Sequence, residues 1–185
     1  MGYPMAGHLS SKKDFDIYIY NRTEAVSDKW LSEYNGCKFN QTDSKNIQFN
    51  GIITCLKNDE AIVDLLINKR LIAGLKKNSF ILDHSTTSLN LIELVTSDKC
   101  VIENNISFFD APVSGGEAGA INGALSVMFG GPKYKVSIIK KIMNAYSKSI
   151  VHIGPSGHGQ LTKMVNQICI AGLIQALSEG ILLGK

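Results

Sequence analysis

No two of the four cysteines, Cys37, Cys55, Cys100 and Cys169, are spaced as a CxxC pair, and zinc-finger spacing is absent. That excludes a zinc ribbon or dithiol redox motif and predicts free thiols in a reducing compartment. No run approaches the roughly 20 apolar residues of a membrane span. The opening residues, MGYPMAGHLSSKKDF, lack the charged start, apolar core and small-residue cleavage site of a signal peptide. A cytoplasmic location with no membrane partner is the default expectation. Charge of one sign is scarce too: 19 basic against 16 acidic residues leave +3. The lysines are scattered, in pairs such as Lys12-Lys13, Lys76-Lys77 and Lys140-Lys141, not gathered into the aromatic-flanked stripe of a nucleic-acid protein. No nucleic-acid partner is expected. Internal repeats and low-complexity tracts are also missing.

What is present is a globular composition, 44% hydrophobic and 19% charged. The length, 185 residues, suits one domain or one domain plus part of a second. Short apolar runs alternate with longer helical patterns. Strands are predicted at residues 15–20 (FDIYIY), 51–56, 80–83, 106–110, 125–129 and 150–153, and helices at 23–34, 59–68, 89–96 and 132–147. Thr23 is placed to cap the first of these helices, and Pro132 suits the first turn of the last. Strand–helix alternation predicts an α/β fold with a parallel sheet covered on both faces. After the glycine-rich residues 154–159, an uninterrupted helical pattern runs from Gln160 onward. Leu161, Met164, Val165, Ile168, Cys169, Gly172 and Leu173 give it a broad apolar stripe. The expected division is a sheet domain over residues 1–153 and a helix opening a second unit over 154–185.

Two stretches carry candidate chemistry. In residues 110–131, DAPVSGGEAGAINGALSVMFGG, an apolar strand runs into Ser114-Gly115-Gly116. The missing side chains admit backbone N–H groups to a bound anion, and Ser114 adds a hydroxyl. From composition alone this is either a carboxylate clamp or a flexible glycine turn. In the second stretch, Lys163, Asn166 and Gln167 lie at i, i+3 and i+4 and share a helix face. Lys163 is either a proton donor to a substrate oxygen or a solvated helix lysine.

As whole strings, both stretches resemble the β-hydroxyacid dehydrogenase family, which includes 3-hydroxyisobutyrate dehydrogenase. The resemblance runs over essentially the whole chain. It implies a Rossmann-type domain, a connecting helix and the start of an all-helical C-terminal domain. The implied reaction is hydride transfer between NADP or NAD and a small 3-hydroxy acid. Lys163 would be the general acid/base, Ser114, Gly115 and Gly116 the carboxylate clamp, and Asn166 with Gln167 the substrate-side amides. Met1-Gly2-Tyr3-Pro4-Met5-Ala6 looks like the tail of the family's dinucleotide fingerprint, Gly2 matching the third glycine of GxGxxG. Asn21-Arg22-Thr23 stands at the ribose position. Asn21 is neutral there and Arg22 is suited to an extra phosphate, which favours NADP over NAD, although a plain turn is the other reading. Leu56 and Lys57 stand where relatives have Leu-Pro beside the nicotinamide ribose, and Thr86 where they have a cofactor-contacting Thr. His84, His152 and His158 receive no role, and Glu117 and Glu179 are expected at the surface.

The sequence departs from the family pattern at Gln167, often asparagine in relatives, and at Lys57. It begins after the first strand with its two glycines and ends early in the helical domain. A central strand carries five or six apolar side chains at roughly 1.5–3 kcal/mol each, on the order of 10 kcal/mol against whole-domain stabilities of about 5–15 kcal/mol. The chain alone is therefore expected to fold poorly and bind cofactor weakly. Its partners would be a small carboxylic acid and, for the parent protein, one or three further copies. Sibling activities on tartronate semialdehyde, glyoxylate or succinic semialdehyde share the same motifs. A dinucleotide-binding module without activity is the alternative from another class.

Overall fold

Ile81 and Leu82 are consecutive on one strand and both fully buried, so the sheet that holds them is covered on both faces. The computed structural model describes residues 1–40 and 47–185. Helix α1 (Gly2–Ser10) precedes β1 (Tyr18–Ile19), α2 (Glu24–Glu33) and β2 (Cys37–Lys38). Next come β3 (Phe49–Thr54), α3 (Asp59–Val63, continued by a π-helical turn, Asp64–Asn68), β4 (Leu75–Asp83), α4 (Leu89–Thr96), α5 (Lys99–Glu103) and β5 (Ser107–Asp110). The chain closes with β6 (Val113–Ser114), α6 (Gly116–Ile121), β7 (Leu125–Gly130), α7 (Val136–Met143), β8 (Ser147–Gly154) and α8 (His158–Leu183).

Strands β3, β4 and β5 are parallel neighbours, and β8 lies parallel to β7. β7 runs antiparallel to both β5 and β6, so the sheet is mixed where a parallel one was expected. The cause is local. α6 has only six residues, too few for a crossover that restores direction, so the chain returns beside the strand it left. β1 and β2 form a parallel pair of their own, separate from the six-stranded sheet.

The two faces have two cores. Phe80, Leu82, Phe109 and Phe129 pack with Met5 and Leu9 of α1 and Ile139, Ile142 and Met143 of α7. Ile81 and Phe108 point the other way, against Ile62, Leu66, Leu91, Ile92 and Val95 from α3, its π-helical turn and α4. This alternation is the period of two that a doubly covered strand requires.

Two predicted helix starts are not made as expected. Thr23 sits at the N-cap of α2 but its side chain makes no capping hydrogen bond. Pro132 has an extended backbone and precedes a short 3-10 turn, so α7 begins four residues later, at Val136. Helix α8 leaves the sheet domain. Gly159 and Gln160 are buried, whereas Val165, Ile168, Leu173 and Leu182 are 61–75% exposed. Beyond Gly172, exposed Leu173, Ile174, Leu177 and Ile181 fall on one side of the helix and form an apolar face. By length and composition alone α8 is also apolar enough to cross a membrane. Its apolar residues are interrupted by Lys163, Asn166, Gln167, Gln175, Ser178 and Glu179, so they form no single long run.

Candidate active site

The strand ends line up. Thr54, Asp83, Asp110 and Gly130 are successive register partners across β3, β4, β5 and β7. This row marks the edge where open α/β sheets bind ligands. Two aspartates in it are fully buried, and each grips the chain that follows a strand.

Asp83 Oδ1 accepts from Thr54 Oγ1 at 2.8 Å and from the Ser85 amide at 3.0 Å. Ser85 Oγ in turn accepts from the Leu56 amide at 2.8 Å. The loops after β3 and β4 are thus tied together, with Lys57 and Thr86 exposed on them. Gly2 sits against this corner: a Cβ there would lie 3.2 Å from Cys55 Cβ, so α1 packs closely on the end of β3.

Asp110 Oδ1 accepts from the Gly157 amide at 2.6 Å, and Oδ2 from the Gln160 amide at 2.8 Å. Burial pushes both carboxyls up from the usual carboxylate range, opposed at Asp83 chiefly by the Ser85 and Thr54 hydroxyls and at Asp110 by backbone amides. Gln160 Nε2 donates to Ser85 O at 2.7 Å and Thr87 Oγ1 at 3.1 Å. The start of α8 is therefore held by the loop after β4 as well as by β5.

From that anchored start, half-buried Lys163 reaches back to β6, its Nζ donating to Val113 O at 3.0 Å. Ser114 follows immediately. Gly115 and Gly116 have φ of +128° and +62°, conformations that a side chain would strain. Lys163 and the Ser114-Gly115-Gly116 turn are thus brought together. Asn166 and Gln167 lie on the next turn of the same helix, Asn166 half-buried and Gln167 exposed. At the end of β1, Asn21 Nδ2 donates to Thr23 O at 2.9 Å, and Arg22 is exposed. Among the described residues no hydrogen bond joins this turn to Lys163. A cleft of about 620 Å³ is lined by Tyr3, His8, Lys29, Glu33 and Glu117, without Lys163.

Residues 1–154 match the family model described as the NAD binding domain of 6-phosphogluconate dehydrogenase. The chain belongs to that family. It is 40% identical over 186 residues to an uncharacterized oxidoreductase of Shewanella frigidimarina, covering all of this chain and 63% of the relative. It is 30% identical over 181 residues to the mitochondrial 3-hydroxyisobutyrate dehydrogenase of Drosophila melanogaster, covering 97% and 54%. Among solved structures, Mycobacterium tuberculosis 3-hydroxyisobutyrate dehydrogenase with L-serine superposes with a TM-score of 0.89 at 22% identity, covering 99% of this chain and 61% of that one. The chain thus spans about 54–63% of the length of these relatives. The Rossmann-type α/β fold read from the sequence agrees with the family.

The structure also shows what sequence reading missed. Asp83, Asp110 and Gln160 hold the site's loops, yet none was singled out, because their partners lie in other elements. His84, given no role, is buried between Ala111 O and Tyr146 OH.

A dinucleotide of the kind the family model names would lie along the row of strand ends. α1 is seated on it through Gly2, Lys57 and Thr86 are exposed on the loops after β3 and β4, and Asn21 and Arg22 follow β1 of the separate two-stranded sheet. First-turn amides of a helix have no partner within it and favour a bound phosphate.

Proposed function

We propose that the protein is an NADP- or NAD-dependent oxidoreductase acting on a small 3-hydroxy acid, of the 3-hydroxyisobutyrate dehydrogenase kind. The observation that carries this reading is the 3.0 Å bond from Lys163 Nζ to Val113 O. It sets an ammonium beside Ser114-Gly115-Gly116. In this reading residues 1–153 bind the dinucleotide and residues 154–185 open a second unit.

Lys163 exchanges a proton with the substrate oxygen. Its present acceptor is a neutral carbonyl, which a developing alkoxide outcompetes because the alkoxide adds a full charge–charge attraction to the hydrogen bond. Ser114 Oγ and the Gly115 and Gly116 amides hold the substrate carboxylate. Asn166 and Gln167, on the same helix face as Lys163, orient the rest of the acid. Gly2, Leu56, Lys57 and Thr86 contact the dinucleotide, which when bound supplies or accepts the hydride. Asn21, Arg22 and Thr23 surround its ribose. A neutral Asn21 and an exposed Arg22 favour the 2′-phosphate of NADP.

The test is a panel of short 3-hydroxy acids and semialdehydes with NADPH and NADH. It is run on this chain and on a version extended by a Gly-x-Gly strand before Met1 and a helical domain after Lys185. Lys163-dependent turnover in the extended version supports the reading. Nucleotide binding without turnover in both versions would leave a binding module.

A further inference from the structure

We infer that Asp110 fixes where the Lys163 amine stands, an assignment that rests on the proposed role of Lys163. Two four-residue segments face each other here. Asp110, Ala111, Pro112 and Val113 run on from β5, while Gln160, Leu161, Thr162 and Lys163 run along α8. They are joined at both ends, by Asp110 Oδ2 accepting from the Gln160 amide at 2.8 Å and by Lys163 Nζ donating to Val113 O at 3.0 Å. The second carboxylate oxygen takes the Gly157 amide at 2.6 Å. Bonds to two points on the helix start fix its rotation as well as its position, and rotation decides which way the side chain one turn on is directed.

The fit around the carboxylate supports the assignment. A Cβ on Gly159 would lie 2.5 Å from Asp110 O and 2.8 Å from Oδ2, and one on Gly130 would lie 2.7 Å from Oδ1. Both glycines let backbone close on the carboxylate. No salt bridge among the described residues involves Asp110, so its two oxygens are spent on the helix.

Competitive acetylation of the lysines, read by mass spectrometry alongside amide exchange, tests this on the 185-residue chain. In Asp110→Asn one amide N–H meets an NH2 group. Exchange at Gly157 and Gln160 then accelerates, and Lys163 labelling relative to exposed Lys12 and Lys148 rises about two- to tenfold, the equivalent of one lost hydrogen bond. Faster amide exchange with an unchanged Lys163 ratio would reduce Asp110 to a helix cap and overturn the assignment.

Should the variant not fold, the unaltered chain in sub-denaturing urea gives the same answer. Lys163 labelling should rise at the concentration that releases the Gly157 and Gln160 amides, and a rise well before it would refute the coupling. Labelling reads position whether or not Lys163 moves a proton. Lys163→Ala in the extended, active version tests that role separately.

Discussion

The His84 imidazole is held between two groups that fix its tautomer: Ala111 O lies 2.7 Å from Nδ1 and Tyr146 OH 2.8 Å from Nε2. A carbonyl oxygen only accepts, so Nδ1 carries the proton and Nε2 accepts from the phenol. Burial pushes the His84 pKa down to about 4 and the Tyr146 phenol above its ordinary value. The ring is a neutral structural bridge between the loop after β4 and the turn before β8.

This bridge makes stability depend on pH. The depressed pKa means that His84 contributes stability above its unfolded value of 6.5, which is lost as pH falls toward about 4. In that window the unfolded chain takes up a proton that the folded chain refuses. A shift of this size amounts to about 3 kcal/mol. Asp83 and Asp110, raised by burial, act in the opposite sense, since stability from a raised carboxyl grows on acidification. The His84 contribution is therefore read as a difference. Denaturant melts of the native chain and His84→Asn should diverge less at pH 4.5 than at pH 7.5; parallel pH curves would contradict the neutral bridge.

The proton-transfer role predicts a different kind of loss. In the extended protein, Lys163→Ala should lower kcat by about 10²- to 10⁴-fold, with a smaller change in nucleotide affinity, because among the described residues no hydrogen bond joins Lys163 to the loops at Leu56 and Thr86. Steady-state kinetics beside NADPH titration measures both. Equal losses in both would point to a folding defect rather than lost chemistry.

Much of this fold was legible because its central strands are buried on both faces. Residues 80–83 and 106–110 read as continuous apolar runs, and β4 and β5 lie there. β4 starts five residues earlier than expected, at Leu75, since exposed Lys76, Lys77 and Asn78 broke the run. The two-residue strands β2 and β6 were missed: their pairing is set by neighbours, and two residues carry no period. Helices α5 and α6, five and six residues long, were missed for the same reason. In the site, Lys163 and Ser114-Gly115-Gly116 stood out as local patterns. Asp110 did not, because the amides it grips lie 47 and 50 residues further on.

Gly159 gives a stability prediction of its own. A Cβ there meets backbone as well as the Asp110 carboxylate, with Asp110 O at 2.5 Å and Met128 O at 2.9 Å. Backbone cannot swing aside as a long side chain can, so α8 must lift from the sheet. Gly159→Ala should cost about 1–3 kcal/mol, the usual range for overpacking. The intrinsic helix preference of alanine, worth up to about 1 kcal/mol, works against that loss. A urea melt yielding a more stable variant would mean that the helix start is looser than the geometry shows.

Cofactor choice is the last property that the geometry makes testable. Asn21 turns its amide inward to Thr23 O, so its side chain is already engaged beside the proposed ribose position. Arg22 next to it is exposed and makes no salt bridge among the described residues, free to fork onto a phosphate. Arg22→Ala should weaken NADPH binding about tenfold, the loss of one charge-assisted contact at about 1.5 kcal/mol, and leave NADH nearly unchanged. Asn21→Asp should do the reverse for NADH, by adding a carboxylate for the free ribose hydroxyl. Fluorescence titration of both nucleotides against each variant measures the ratio. If Arg22→Ala weakens both equally, the arginine contacts a phosphate common to the two, and the preference for NADP loses its basis.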